Sequence, residues 1–259
     1  MRQFTDQLSR EVEMESPPRR IISLVPSQTE LLYELGLEEE VVGITKFCIH
    51  PHQWFKEKEK VGGTKNFWLD TIDELNPDLI IGNKEENYEE GIAELSKKYP
   101  VWMSNISDVE SAMEMIRLIA QITDRTKRGK EIITSINDAF EKLPTFKPQR
   151  VLYLIWHEPW MAAGKGTFID SMISKLGWIN ATEEFRYPTL DEEQLRELNP
   201  DLVLLSSEPY PFKDGHLKSI IKFLPNASVH LVDGEPFSWY GSRMIQAPTY
   251  FATLPFRKL

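Results

Sequence analysis

The sequence predicts an α/β protein of two similar lobes, each with a mainly parallel sheet flanked by helices, joined by one long rigid helix. Three observations carry that expectation. The hexapeptide Glu-Leu-Asn-Pro-Asp-Leu occurs at residues 74–79 and again at 197–202, each copy running into an apolar stretch, Leu79-Ile80-Ile81 and Leu202-Val203-Leu204-Leu205. The spacing of the copies is far beyond the period of a solenoid or propeller, so it indicates a duplicated domain. Strand–loop–helix units recur in the same order in both halves, and a nearly unbroken helical segment lies between them.

Residues 1–20 read as a polar lead-in, closed by the stiff Pro17-Pro18. Residues 20–25 have the β-branched character of a strand, and Pro26 ends it. A helix follows on Leu31, Leu32, Leu35 and Leu37, with Ser27 or Thr29 placed to cap it and Gly36 to end it. The unit recurs as a strand at 151–155, a loop at 156–166 and a helix at 167–176 closed by Gly177. A third pair is the strand at 100–103, leading to the helix after Asp108, and the strand at 229–232, leading to a helix over 242–251. Strands alternating with helices imply parallel sheets whose ligands gather at the carboxyl ends of the strands. Residues 108–143 are helical in pattern, with Gly129 the one interior glycine, so a stiff joint is expected at 124–143, ending at Pro144 and Pro148. The expected division is a lead-in at 1–20, an N-terminal lobe at 21–123, a connecting helix at 124–146 and a C-terminal lobe at 147–259. Two such lobes would enclose a cleft, a favoured place for a small ligand.

Composition narrows the function. A formal charge of −10 and a pI near 5.1 oppose a nucleic-acid or anionic-membrane partner, which needs a basic face. Cys48 is the single cysteine, so no intrachain disulfide forms. No stretch reaches the roughly 18 apolar residues of a membrane span. The amino terminus has no apolar run to serve as a secretory signal, which leaves a cytoplasmic chain or one whose export signal is not part of this sequence.

Three segments, Ser23-Leu24-Val25-Pro26-Ser27-Gln28-Thr29-Glu30, Val61-Gly62-Gly63-Thr64 leading to residues 75–81, and residues 191–205, carry a resemblance. In that order, with a helical joint, they make the chain similar to the substrate-binding proteins of ABC importers for vitamin B12, haem and iron–siderophores, above all the cobalamin-binding members. The resemblance implies capture of a corrinoid, haem or ferric siderophore between the lobes and delivery to a dimeric ABC permease. It further implies a monomer in the periplasm or cell envelope, with no cofactor of its own.

Aromatic and polar residues crowd the expected strand ends: Phe47, Phe67-Trp68, the loop from Trp156 through His157, Glu158 and Pro159 to Trp160, and Phe237-Ser238-Trp239-Tyr240. Rigid rings bury much area at little entropic cost and offer faces for stacking. One such ring is ordinarily a core cap; four clusters at matching positions favour cleft lining. The resemblance places Phe47, the 156–160 loop and Trp239 against the ligand. Thr64 stands where the best-known cobalamin binder has an aromatic residue, which Trp68 is placed to supply. Phe47, Trp68, Trp156, Trp160 and Trp239 are the expected stacking residues, joined by His157 and Tyr240. Ser27, Gln28, Glu158, Ser238 and Arg243 are available for polar contacts.

Asp70 and Glu193 lie at the same offset before Asp78 and Asp201, so a carboxylate recurs on each lobe. The resemblance assigns them to docking on permease arginines; helix capping is the alternative. Cys48, His50 and His52 invite a metal reading but match no zinc signature, and the cluster reads as structural. Cys48, His50 and His157 are the weak candidates for an axial contact to bound cobalt or iron, and no resident metal is expected. The residues Gly164-Lys165-Gly166-Thr167 lack the upstream glycine of a phosphate loop, and no nucleophile accompanies His157 and Glu158, so an enzyme is disfavoured. The competing function is a cytoplasmic tetrapyrrole or corrinoid carrier or sensor that works without a transporter.

Overall fold

A computed structural model describes residues 1–15 and 17–256. The chain forms two compact units. Unit 1 holds the chain as far as Ile106, Glu110–Asn137 and the short return Tyr240–Arg243; unit 2 holds Ser107–Val109, Asp138–Trp239 and the chain from Met244 onward.

Unit 1 begins with β1 (Arg2–Thr5) and β2 (Glu11–Met14), an antiparallel hairpin. The expected lead-in is therefore ordered structure. β2 alternates exposed Glu11 and Glu13 with buried Val12 and Met14, the period of a half-buried strand. The hairpin's turn is fixed by Asp6, whose side chain is wholly buried. It accepts from the backbone N–H groups of Leu8 and Arg10 at 2.9 Å and of Met103 at 3.2 Å, and pairs with the Arg10 guanidinium at 2.7 Å. Arg10 then reaches Val101 O, and Gln7 N–H reaches Met103 O. The turn thus occupies the outer edge of a sheet strand that would otherwise present unpaired groups.

The elements that follow are β3 (Ile21–Ser23), α1 (Pro26–Glu34), β4 (Val41–Ile44), α2 (His52–Glu57), β5 (Glu59–Lys60), the small hairpin β6 (Gly62–Gly63) and β7 (Asn66–Phe67), α3 (Leu69–Leu75), β8 (Leu79–Asn83), α4 (Glu89–Ser96), β9 (Val101–Ser104), α5 (Val109–Ile122) and α6 (Thr126–Glu141). The sheet runs β5-β4-β3-β8-β9, all parallel. α1 starts at Pro26 behind an extended Val25 with no side-chain cap, so neither Ser27 nor Thr29 caps it; proline's fixed φ and missing N–H suit a first helical position. Gly36, at φ +74°, does end it. The helical segment expected to be continuous breaks at Asp124, whose φ of +57° is left-handed, and α6 restarts at Thr126. Gly129 sits where a Cβ would lie 2.4 Å from the Ala120 Cβ, so the interior glycine allows α6 to approach α5. α6 carries the chain from unit 1 into unit 2.

Unit 2 contains β10 (Arg150–Trp156), β11 (Trp160–Ala162), α7 (Phe168–Lys175), β12 (Ile179–Asn180), β13 (Thr189–Leu190), α8 (Glu192–Glu197), β14 (Leu202–Ser206), α9 (Asp214–Phe223), β15 (Ser228–Val232), α10 (Glu235–Ser238) and α11 (Ala247–Thr253). Its sheet runs β13-β11-β10-β14-β15, with β12 also on β10; β11 is antiparallel to both β10 and β13, and the other pairs are parallel. Thr167 caps α7 through Asp170 N–H, and Gly177 closes it at φ +74°. The expected loop at 156–166 contains a strand, β11, and the expected helix over 242–251 is a 3₁₀ turn at Ser242–Ile245 followed by α11.

The repeated hexapeptide performs the same task twice. Asn76 and Asn199 take left-handed φ of +43° and +40°, turning the chain out of α3 and α8. Asp78 then accepts from the N–H groups of Arg19 and Arg20 at 2.8 Å, and Asp201 accepts from Arg150 N–H at 2.8 Å. Asp78 N–H returns to Arg20 O, and Asp201 N–H to Arg150 O, at 2.9 Å. These bonds set the parallel pairs β3·β8 and β10·β14 in register, Ile21 beside Leu79 and Val151 beside Leu202. β8 and β14 are buried throughout, as strands covered on both faces should be. No helix among the described residues is long and apolar enough to cross a membrane.

Asp78→Ala and Asp201→Ala are each expected to cost about 1–2 kcal/mol in chemical denaturation, the value of acceptors lost from strand-start N–H groups. Asp6→Ala is expected to cost more, about 3 kcal/mol, because it leaves the Arg10 pair and buried donors uncompensated. A smaller loss at Asp6 than at Asp78 would show that the amino-terminal hairpin is not integral to unit 1.

Candidate functional site

The loops at the carboxyl ends of the parallel strands hold most of the expected site residues, and each unit is described by itself. In unit 1, the loop after β4 carries Phe47, 52% exposed, and the end of the β6–β7 hairpin carries Trp68, 48% exposed. Both rings border that hairpin. Lys46 N–H donates to Gly62 O at 2.8 Å and Trp68 N–H to Val61 O at 2.9 Å, while the Phe47 ring rests where Gly63 has no side chain. The Lys46 ammonium lies 5.2 Å from the centre of the Phe47 ring.

Ser27 and Gln28 fall on α1 and are buried. Gln28 donates to Ser104 Oγ and Gly82 O, inside a network in which Asn83 also binds Ser104 and Asn87 binds Asn83 N–H, Leu24 O and Thr64 O. This network ties the loops after β3 and β8, so Gln28 is structural where the sequence suggested a ligand contact. Arg243 is engaged too: it makes a two-pronged pair with Glu30 at 2.9 Å, which fastens the return segment to α1. Tyr240, on that segment, is 6% exposed and presents little surface for stacking.

Cys48 is corrected from its candidate metal role. It has no exposed surface, its sulfur lies 3.1 Å from both Thr29 and Thr45 hydroxyls, and burial pushes the thiol's pKa up, so it stays protonated. His50 is half-buried, two residues before α2. Among the described residues no three His, Cys, Asp or Glu side chains are arranged to hold a metal ion.

In unit 2, Trp156 is 41% exposed at the end of β10 and meets Tyr210 edge-on, ring centres 5.5 Å apart. His157 packs on Trp160 at 4.3 Å, on His216 at 4.9 Å and on Tyr210 at 5.8 Å. His216 Nδ1 accepts the Lys213 N–H at 3.0 Å, which assigns the ring proton to Nε2 and makes it the donor to the Tyr210 hydroxyl, also at 3.0 Å. Glu158 is exposed and takes φ +63°, so the loop is not extended there and its carboxylate swings to 4.0 Å from His157 Nδ1. Trp160 is corrected: its ring is largely buried, stacked on Phe212 at 6.2 Å, and it helps line an open hollow of about 510 Å³ bordered by Glu158, Leu190 and Asp191.

Trp239 is likewise interior at 8% exposure. Its indole N–H donates to Glu208 Oε1 at 2.8 Å, and the Ser238 hydroxyl reaches the same oxygen at 2.7 Å. Burial raises the Glu208 pKa, and the two donors partly offset it. Sequence reasoning passed over Tyr210, His216 and the structural part of Glu208. The signal was the Tyr210-Pro211-Phe212 run shortly after the repeated strand, where the first half has Asn87-Tyr88-Glu89.

Asp70 and Glu193 are both exposed, and each is the second residue of its helix, α3 or α8. Neither caps. Trp68 precedes α3 without a side-chain bond, and in α8 the cap is Asp191, boxed with Gln194.

Comparison with known proteins places this geometry. An ABC transporter substrate-binding lipoprotein of Bacillus subtilis, YvrC, itself uncharacterized, is 26% identical, covering 93% of this chain and 81% of its own. The vitamin B12-binding protein of Vibrio cholerae is 24% identical over 78% of this chain and 74% of its own. The crystal structure of the periplasmic haem-binding protein HutB of Vibrio cholerae superposes with a TM-score of 0.72 at 26% identity, over 89% of this chain and 96% of that one. The profile of the periplasmic binding protein family matches residues 21–224, from the first strand of the unit 1 sheet to the helix before the last strand of unit 2. On that match, the chain belongs to the periplasmic binding protein family.

Proposed function

We propose that this protein is the substrate-binding component of an ABC importer, located in the cell envelope, which captures a metal chelate (a corrinoid, haem or ferric siderophore) and delivers it to a permease. The observation that carries the reading is the exposure of large rings at the strand-end loops where open α/β sheets take ligands: Phe47 and Trp68 in unit 1, Trp156 beside Tyr210 in unit 2; Phe185 and Tyr187, between β12 and β13, are exposed as well. Exposed indoles cost solvation energy that a flat ligand recovers by stacking. Relatives that bind vitamin B12 or haem support the same class of ligand.

Asp70 and Glu193 serve the second task. Two exposed carboxylates at the same helical position, with no capping bond to make, are free to meet basic side chains on a two-fold permease. Such contacts set orientation and encounter rate.

Tryptophan fluorescence should be quenched by haemin, a ferric siderophore or cyanocobalamin at micromolar concentration, and Trp68→Ala or Trp156→Ala should weaken the active ligand about tenfold, as truncated aromatic anchors do. Trp239→Phe should lower stability and leave that affinity nearly unchanged; the reverse pattern would return Trp239 to the binding surface. Reversing charge at Asp70 and Glu193 together should abolish transport with ligand affinity intact, and a loss of affinity would show that these acids belong to the ligand site.

A further inference from the structure

The strand-end loops of unit 1 present two exposed lysines, Lys46 and Lys84, with Glu85 and Glu86 directly after the second. Lys46 follows β4 and Lys84 follows β8; both are exposed, and neither has a carboxylate partner among the described residues. Lys65, on the β6–β7 turn, is committed to the carbonyl oxygens of Glu85 and Asn87 and screens Glu86. β4 and β8 flank β3, so the roots of Lys46 and Lys84 are two strand spacings apart, roughly 10 Å. The segments after β10, β14 and β15 of unit 2 carry Glu158, Glu208 and Asp233, with Lys213 at the entry to α9. An ammonium parked over an aromatic ring, as Lys46 is over Phe47, is held beside the stacking surface.

Resting on the ligand class proposed above, we infer that unit 1 receives the anionic edge of the chelate. Carboxylate or catecholate oxygens meet Lys46 and Lys84, while the flat part of the ligand lies on Phe47 or Trp68. In a chain of net charge −10 an anionic ligand is repelled at long range, so local cations must fix its orientation. A cobalamin, whose periphery is neutral amides apart from one phosphodiester, pairs with at most one of the two ammonium groups. The inference selects an anionic chelate over cobalamin.

The test is a fluorescence titration of the full chain with haemin, haem dimethyl ester, a ferric tris-catecholate and cyanocobalamin. It compares the wild type, Lys46→Gln with Lys84→Gln, and Lys46→Arg with Lys84→Arg, with the fold of each checked by circular dichroism. Haemin or the ferric catecholate should bind, whichever supplies the anionic edge. The double glutamine variant should weaken it about tenfold, the size expected for two partly desolvated ion pairs. The double arginine variant should restore binding, and the neutral ester should bind wild type more weakly and ignore the glutamines. Equal affinity of an anionic chelate for wild type and the glutamine variant overturns the charge assignment and leaves the binding-protein reading standing, as does tight binding of cyanocobalamin alone. Failure of all four to quench overturns both.

Discussion

The fold depends on one carboxylate used twice. A parallel sheet gives its strands no hairpin to fix register, so some contact outside the ladder must say where each strand begins. Asp78 and Asp201 do this by accepting the N–H groups that enter β3 and β10, one residue before the central strands pair. The left-handed asparagine and the proline before each aspartate aim the chain into that position. Arg20 and Arg150 complete the arrangement by donating to the carbonyls of Leu75 and Leu198. Once those pairs are in register, the carboxyl ends of the strands come level, and the loops that carry the aromatic residues are set by the sheet.

This explains why the architecture was legible from the chain alone. The repeat and the glycines at 36 and 177 are local devices, and each acts where its spacing suggested, whereas the cap expected from Ser27 or Thr29 is not made. What escaped were features decided by distant partners. The amino-terminal hairpin looks polar because one face of β2 is solvated, and Asp6 becomes intelligible only once Met103 is beside it. The interruption at Asp124 rests on a left-handed non-glycine residue, which composition does not announce. β11 hides in a loop because two of its partners, β10 and β13, lie on either side of it in space.

The candidate site was legible by location and less so by residue. Phe47, Trp68 and Trp156 stand at the surface as aromatic patterning suggested, yet Trp160 and Trp239 come from the same clusters and are packed inside. Neighbouring residues on an irregular loop diverge, and only the fold decides which ring turns inward. Polar residues show the same split: Gln28, Ser238 and Arg243 are spent on holding loops and segments in place, whereas Lys46 and Lys84, which no motif marks, are left exposed.

Gly63 shows how far recognition extends beyond the residues that face solvent. A side chain there would meet the Phe47 ring at 3.1 Å, so the ring would have to shift by a few tenths of an ångström. A buried position with no side chain of its own can therefore set how a neighbouring surface ring is presented, and a survey of exposed residues would overlook its cause.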